Sequence, residues 1–311
     1  HNRVFTDAHY LIGLEKELKG YDIAHCAETY YRYTQQCLTA KEKEYVKKVI
    51  CTVWETIPFN NEGIPGRKEY KARAKKGVDH FLAVTHRAKA SLILEGVDAE
   101  KITVLAPGIS INAFAPTKWK EKHTHIKILF VGRLERCKGV YELLYAMKLL
   151  LTDKDIQLQI TLHIIGDGSE TNKLIALEKQ LGIERHVSHK IVSYTDMPGE
   201  YHAADIFVAP SKDDAYWQEQ YNMTLMEAQA SGLPIVTTTS GGIPENVGEA
   251  ALFAFPGDIV SLKEQLKRYV LNPVVRLEYG TKARKRAEEI HDARKIAKRI
   301  GNVYEMVNDQ C

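Results

Sequence analysis

Short β-branched or apolar runs alternate along this chain with longer polar stretches of helical period, and this alternation narrows the fold more than any other feature. Strands separated by helical crossovers pair in parallel, and a parallel sheet must be covered on both faces. The predicted strands are residues 22–26, 49–53, 81–85 and 102–105, followed by 126–131, 158–165, 189–192, 206–209, 235–238 and 251–253. Four precede and six follow residues 116–127, a stretch too polar for a core that reads as a linker. The expected division is therefore an N-terminal domain over 1–117, a second domain over 118–290 and a terminal segment over 291–311. That last segment carries an apolar helical stripe, Ile296, Ile300, Val303, Tyr304 and Val307, which needs a surface to bury against. Six strands fill a doubly wound domain, whereas four are few, and the first follows a helical stretch at 7–18. The N-terminal domain is thus expected to be incomplete, lacking its opening βα units.

With 311 residues, 44% of them hydrophobic, the chain can bury two cores. Its 43 Lys and Arg against 40 Asp and Glu leave an excess of only +3, which argues against a nucleic-acid partner. Cys26, Cys37, Cys51, Cys137 and Cys311 are odd in number and never form a Cys-x-x-Cys pair, so buried thiols in a reducing compartment are expected. The apolar stretch 143–151 is too short to span a bilayer, and the opening residues do not resemble a signal peptide, so a cytoplasmic protein is the expectation. The basic run from Arg67 to Lys76 lacks a strong apolar face and reads as a solvated helix. The alternative is peripheral contact with anionic lipid at the inner membrane face. Neither Asp153-Lys154-Asp155, read as a solvated turn, nor His123, His125, His186 and His189, read as solvated histidines, makes a metal site.

Chemistry concentrates in the second domain. Its first strand runs into Gly132-Arg133 and on to Lys138-Gly139. Ligands of a doubly wound sheet sit beyond the carboxyl ends of its strands, where Arg as a planar fork and Lys as a point charge suit a diphosphate; the plain alternative is two solvated cations. The next strand ends in a turn at Gly166-Asp167-Gly168, where glycines admit close approach to the backbone or simply make the turn. After Pro210-Ser211 comes Glu219-Gln220-Tyr221-Asn222-Met223-Thr224 and, with seven residues between the two acids, Glu227. A helix over 221–230 would place Glu219 just before its N-terminus and Glu227 roughly two turns inside. The free N–H groups of such an end suit an anion and the carboxylates suit hydroxyls, together a sugar joined to a diphosphate, although two acids on one helix are often merely solvated.

Taken in order, Arg133, Lys138, the Gly166 turn, Pro210-Ser211, the paired glutamates, Gly232-Leu233-Pro234 and Gly241-Gly242-Ile243-Pro244-Glu245 resemble the C-terminal half of retaining glycosyltransferase family 4. The resemblance spans nearly all of 102–260. It implies an α/β fold of the GT-B kind: two facing Rossmann-like doubly wound domains, a nucleotide-sugar donor in the second, a glycan or lipid-linked acceptor mainly in the first, and a last helix crossing back. By the same resemblance Arg133 and Lys138 neutralise the donor diphosphate, Glu219 faces the transferred sugar and Glu227 holds the ribose. Gly132, Gly166 and Gly168 border the nucleotide, backbone at Ile191 or Val192 reads the base, and residues 220–224 line the donor. Residues 22–28 and 52–58 occupy the positions of two strand-loop segments that face the acceptor. No metal or other cofactor is implied. Three departures stand out: Gln220 and Asn222 replace glycines that are common after the first glutamate, Trp54-Glu55 stands where many members have a histidine, and the N-terminal Gly-rich loop is absent. Besides transfer of a hexose from a UDP or GDP sugar, a phosphorylase-like or epimerase-like enzyme and a catalytically silent sugar-nucleotide binder remain open.

Overall fold

The computed structural model describes residues 9–116 and 124–309; part of the predicted helix at 7–18, the middle of the predicted linker, His123 and Cys311 lie outside them. Among the described residues ten strands form: β1 Tyr21–Ala27, β2 Val46–Val53, β3 His80–Ala83, β4 Ile102–Val104, β5 His125–Val131, β6 Gln159–Ile165, β7 Val187–Lys190, β8 Ile206–Ala209, β9 Ile235–Thr238 and β10 Ala251–Ala254. They make two sheets, of order β1-β2-β3-β4 and β10-β9-β8-β5-β6-β7, and the pairing is parallel throughout. The chain divides into two compact units, His1–Pro107 with Arg294–Cys311, and Gly108–Ala293.

In the first unit, side-chain alternation along β2 explains why both sheet faces are covered. Val49, Cys51 and Val53 join Cys37 and Leu38 of the helix Arg32–Glu42 in one core. Ile50 points the other way and, with Leu82 and Leu105, meets Ile296, Val303 and Val307 of the helix Ala293–Asn308. Ile300 and Tyr304 pack partly buried against the same cluster, so the whole predicted stripe has its surface.

The second unit starts earlier than residue 118 because residues 108–116 are bonded into it. Ile109 pairs with Asp292, its amide donates to the carbonyl of His291 (2.8 Å), and the buried Phe114 ring meets Tyr201 edge-on at 5.6 Å. Its sheet reverses order between β5 and β8, since β5 pairs with β6 on one side and β8 on the other. That is the topological switch point where strand-end loops part and leave a crevice. Strand β7 lies two residues before its predicted place: Val187 to Lys190 pair with β6, whereas Ile191, apolar enough to read as strand, is 81% exposed.

Backbone crossings stitch the loops after β5 and β6 together. The Leu134 amide donates to the Asp167 carbonyl (2.9 Å) and the Glu170 amide to that of Leu134 (3.1 Å). At Gly166, φ is +136° and a Cβ would stand 2.0 Å from the Gly132 carbonyl oxygen. Neighbouring backbone therefore already occupies the space this glycine leaves. Gly166→Ala is expected to destabilise the chain by about 2 kcal/mol or more, from strained backbone plus overlap. A thermal midpoint equal to that of the parent would show that the two loops separate freely.

Candidate functional site

The loops following β5 and β8 bring Lys138 and Glu219 together. Lys138 Nζ lies 2.6 Å from Glu219 Oε2, and the two side chains are 15% and 9% exposed. Onto the same oxygen Ser211 Oγ donates at 2.9 Å and Asn222 Nδ2 at 3.3 Å, and the Trp217 ring covers the ammonium, 4.9 Å from centroid to Nζ. Backbone fixes the carboxylate's root. The Glu219 amide donates to Ser240 Oγ (3.1 Å), and its carbonyl accepts from the Gly242 amide (2.8 Å). Gly241, with φ at +50°, passes so close that a Cβ would stand 1.9 Å from the Glu219 oxygen. The Gly-Gly-Ile-Pro-Glu sequence thus serves first to seat Glu219.

The helix after Glu219 is Met223–Ala230 and has no side-chain cap at its N-terminus. It begins two residues later than predicted, so Glu227 stands just over one turn inside, not two. Asn222 explains the delay: its φ is +67°, a conformation that asparagine tolerates better than most residues with a side chain. The substitution for glycine therefore keeps a left-handed backbone and turns an amide toward Glu219. Asn246 Nδ2 donates to the carbonyls of Tyr221 (2.6 Å) and Asn222 (3.0 Å), Thr224 Oγ1 donates to Asn222 Oδ1 (2.7 Å), Tyr221 is buried, Met223 is exposed and Gln220 is half-buried.

Glu227 has a different environment. It is buried, and Tyr201 donates its hydroxyl to Oε2 at 2.6 Å. Burial pushes its carboxyl above the usual range, opposed in part by hydrogen bonding from Tyr201 and Tyr194. Sequence spacing did not single out Tyr194 or Trp217, since each comes from a loop. Arg133 lies apart from this cluster. Its side chain is 64% exposed and paired with Glu135 at 2.9 Å, so the structure brings Lys138 but not Arg133 into the Glu219 cluster. Gly132, Gly166 and Gly168 lie in the stitched loops after β5 and β6. Ile191 and the half-buried Val192 lie just beyond β7.

Asp153-Lys154-Asp155 forms the expected turn, exposed at Lys154 and Asp155, and its acids are ion-paired: Asp153 and Asp155 to Lys267 at 2.9 and 2.5 Å, and Asp153 also to Lys263 at 2.5 Å. His189 pairs with Glu178 at 2.7 Å, a partner distant in sequence. Among the described residues no group of three or more His, Cys, Asp or Glu is arranged to hold a metal, and no helix is long and apolar enough to cross a membrane. In the basic helix Arg67–Gly77, Arg67 lies over the Tyr30 ring (4.6 Å) and Lys71 is buried against Glu95 (2.5 Å). Arg73 binds Glu42 (2.7 Å) and Lys75 donates to the Glu95 carbonyl (2.6 Å). Most of that charge therefore faces protein.

In the first unit, a groove of 670 Å³ runs beside β1, lined among others by Ile23, His25, Thr52 and Trp54. Following β1, Glu28 has φ at +59°, and its Oε1 accepts from the amide of the lining residue Trp54 at 2.8 Å. Glu55 is committed to its own loop, accepting from the amides of Thr56 and Ile57 (2.9 Å each) and the side chain of Asn60 (2.9 Å).

The fold and this site define an α/β protein of the GT-B class. The model of the glycosyl transferases group 1 family matches residues 112–286, more than half of the chain, and the chain belongs to that family. It is 33% identical over 208 residues, 60% of this chain and 48% of the relative, to the D-inositol 3-phosphate glycosyltransferase of Corynebacterium jeikeium. To the MMP alpha-(1->4)-mannosyltransferase of Mycolicibacterium hassiacum it is 28% identical, covering 77% of this chain and 57% of that one. The chain thus spans about half the length of the curated relatives it matches. Among solved structures, a Rickettsia africae glycosyltransferase superposes with a TM-score of 0.78 at 18% identity, covering 93% of this chain and 78% of that one. The Anabaena protein HepE, in complex with UDP and glucose, does so with a TM-score of 0.77 at 17% identity, covering 94% and 80%.

Burial raises the Glu28 carboxyl to about 8, from 4.5 in an open chain. The folded state therefore keeps a proton that the unfolded chain loses, and the stability present below pH 4.5 drains away as pH rises toward 8. Each pH unit in that window corresponds to about 1.4 kcal/mol as an upper limit. Glu28→Gln is expected to flatten this decline, its thermal midpoint gaining on the parent from pH 5 to 8. Parallel curves for the two proteins would mean that Glu28 is ionised in the fold.

Proposed function

We propose that this chain transfers a hexose, with retention, from a nucleoside-diphosphate sugar of the UDP or GDP type to a glycan or lipid-linked saccharide. The observation that carries the reading is the Lys138–Glu219 pair at the sheet's switch point, with Glu227 buried inside the following helix. In this reading the donor diphosphate draws Lys138 away from Glu219, and the helix N-terminus at Met223 adds its dipole. Glu219, relieved of its cation, accepts hydroxyls of the transferred sugar. Glu227, held by Tyr201, offers its carboxyl to the ribose hydroxyls.

Cleavage of the anomeric bond gives the sugar oxocarbenium character and the departing diphosphate more negative charge. A fixed ammonium then stabilises the transition state more than the ground state. Attack from the same face, with a donor phosphate oxygen taking the acceptor's proton, completes the transfer. This route uses no protein nucleophile and asks for no metal or other cofactor. Residues 52–58 and the groove beside β1 are assigned to the acceptor. A cytoplasmic location goes with this reading, and peripheral membrane attachment through the basic helix is disfavoured by how much of its charge is internally paired.

Lys138→Ala is expected to weaken nucleoside-diphosphate binding by about 1.5–3 kcal/mol, the range for a charged hydrogen bond, and to leave nucleoside binding nearly unchanged. Arg133→Ala, acting from an exposed side chain, should cost less. Calorimetry with UDP, GDP and ADP and their nucleosides checks this, and equal losses for both ligand types would remove Lys138 from the diphosphate site. Glu227→Ala should lower affinity for the ribonucleotide and erase discrimination against its 2′-deoxy form. Glu219→Ala should spare nucleotide affinity and depress sugar transfer. Exchange of those two phenotypes would reverse the assignments.

A further inference from the structure

Between Ser211 and Glu219 lies a loop, Lys212-Asp213-Asp214-Ala215-Tyr216-Trp217-Gln218, that the donor-site reading leaves without a role. It is nonetheless fixed at several points. The Lys212 amide donates to the Cys137 carbonyl (2.8 Å), and Lys212 Nζ pairs with Glu142 at 2.5 Å. Ser240 Oγ donates to Asp213 Oδ1. Asp214 closes the tip: Oδ1 accepts from the amides of Tyr216 and Trp217, each at 2.8 Å, and its own amide donates to the Trp217 carbonyl at 2.9 Å.

These anchors set the indole over Lys138, with Nζ 4.9 Å from the ring centroid. A lysine has a long flexible stem and three rotatable donors, so its ammonium keeps one place only if something holds it there. Glu219 does so at 2.6 Å, but that contact loosens once a diphosphate competes for the charge. The ring face remains. Tryptophan is the strongest aromatic partner for a cation, and its attraction grows where water is excluded.

Resting on the donor-site reading, we propose that Trp217 is a positioning residue for Lys138: it keeps the ammonium at the diphosphate position when the cation leaves Glu219, and the Asp213–Trp217 turn is its mount. The loop thereby acts on the diphosphate alone and contributes nothing to recognition of the nucleoside.

The test is calorimetry of the full chain with UDP and uridine, or GDP and guanosine where the guanine form binds, for the parent, Lys138→Ala, Trp217→Ala, Trp217→Leu and Trp217→Phe. Trp217→Ala and Trp217→Leu are expected to weaken the diphosphate by about 2- to 30-fold, the fold-change equivalent of the cation–π range. Both should leave the nucleoside within about twofold, and Trp217→Phe should recover most of the loss. The nucleoside reports whether a variant is still folded at the site, and leucine separates bulk from ring electrostatics. Unchanged diphosphate affinity in Trp217→Ala, equal loss of both ligands, or Trp217→Leu behaving as the parent would overturn the proposal. If Lys138→Ala shows the selective loss and Trp217→Ala does not, only the role of Trp217 falls. If Lys138→Ala shows none, the donor-site reading falls and takes this one with it.

Discussion

Lys138 and Glu219 face each other across the point where the second sheet reverses its strand order, one on the loop after β5 and the other on the loop after β8. Removing two opposite charges from water is costly unless their geometry is good and their remaining hydrogen-bonding positions are filled. Here Ser211 and Asn222 donate to the carboxylate and Trp217 covers the ammonium. Much of the unit's local architecture follows from seating this pair. Gly241 must pass within contact of the Glu219 backbone, Ser240 must cap its amide, and Asn222 must take a left-handed conformation so that the helix begins where it does. The carboxylate is thus the built-in partner of the part-buried ammonium.

The two glutamates of the motif are alike in sequence and unlike in surroundings. Glu219 sits against a cation, whereas Glu227 sits among phenols with its carboxyl pushed above the ordinary range by burial. A carboxylate paired with a lysine suits a ligand that competes for the ammonium. A buried carboxyl hydrogen-bonded by tyrosine suits neutral hydroxyls. The spacing of the pair places these environments on opposite sides of one helix start.

Strand content was legible because period-2 and period-3.6 patterns are local, and every predicted strand forms. Strand β7 slipped because Ile191 and Val192 are as apolar as strand residues, yet only the partner strand decides where pairing stops. The start of the second unit was misplaced for a similar reason: Ile109 and Phe114 are tied to Asp292 and Tyr201 by contacts distant in sequence. The contact of Lys138 with Glu219 and the burial of Glu227 involve residues that their order in the sequence had already singled out. The difference between Lys138 and Arg133 could not be read from that order, because Glu135, which pairs with the exposed Arg133, looks like any other surface acid in the sequence. Trp217 was likewise invisible, since its partner is set by how loops from separate strands cross. The basic helix misled in the opposite direction, its charges being used to bind Glu95, Glu42 and an aromatic ring.

The central claim is that Glu219 holds the place of a diphosphate on Lys138, and a crystal structure of the chain soaked with UDP or GDP addresses it directly. The account predicts a phosphate oxygen within hydrogen-bond distance of Lys138 Nζ, the Lys138–Glu219 contact lengthened, and a ribose hydroxyl on Glu227. A nucleotide bound elsewhere, or bound here with the Lys138–Glu219 pair intact and no phosphate on the ammonium, would contradict it.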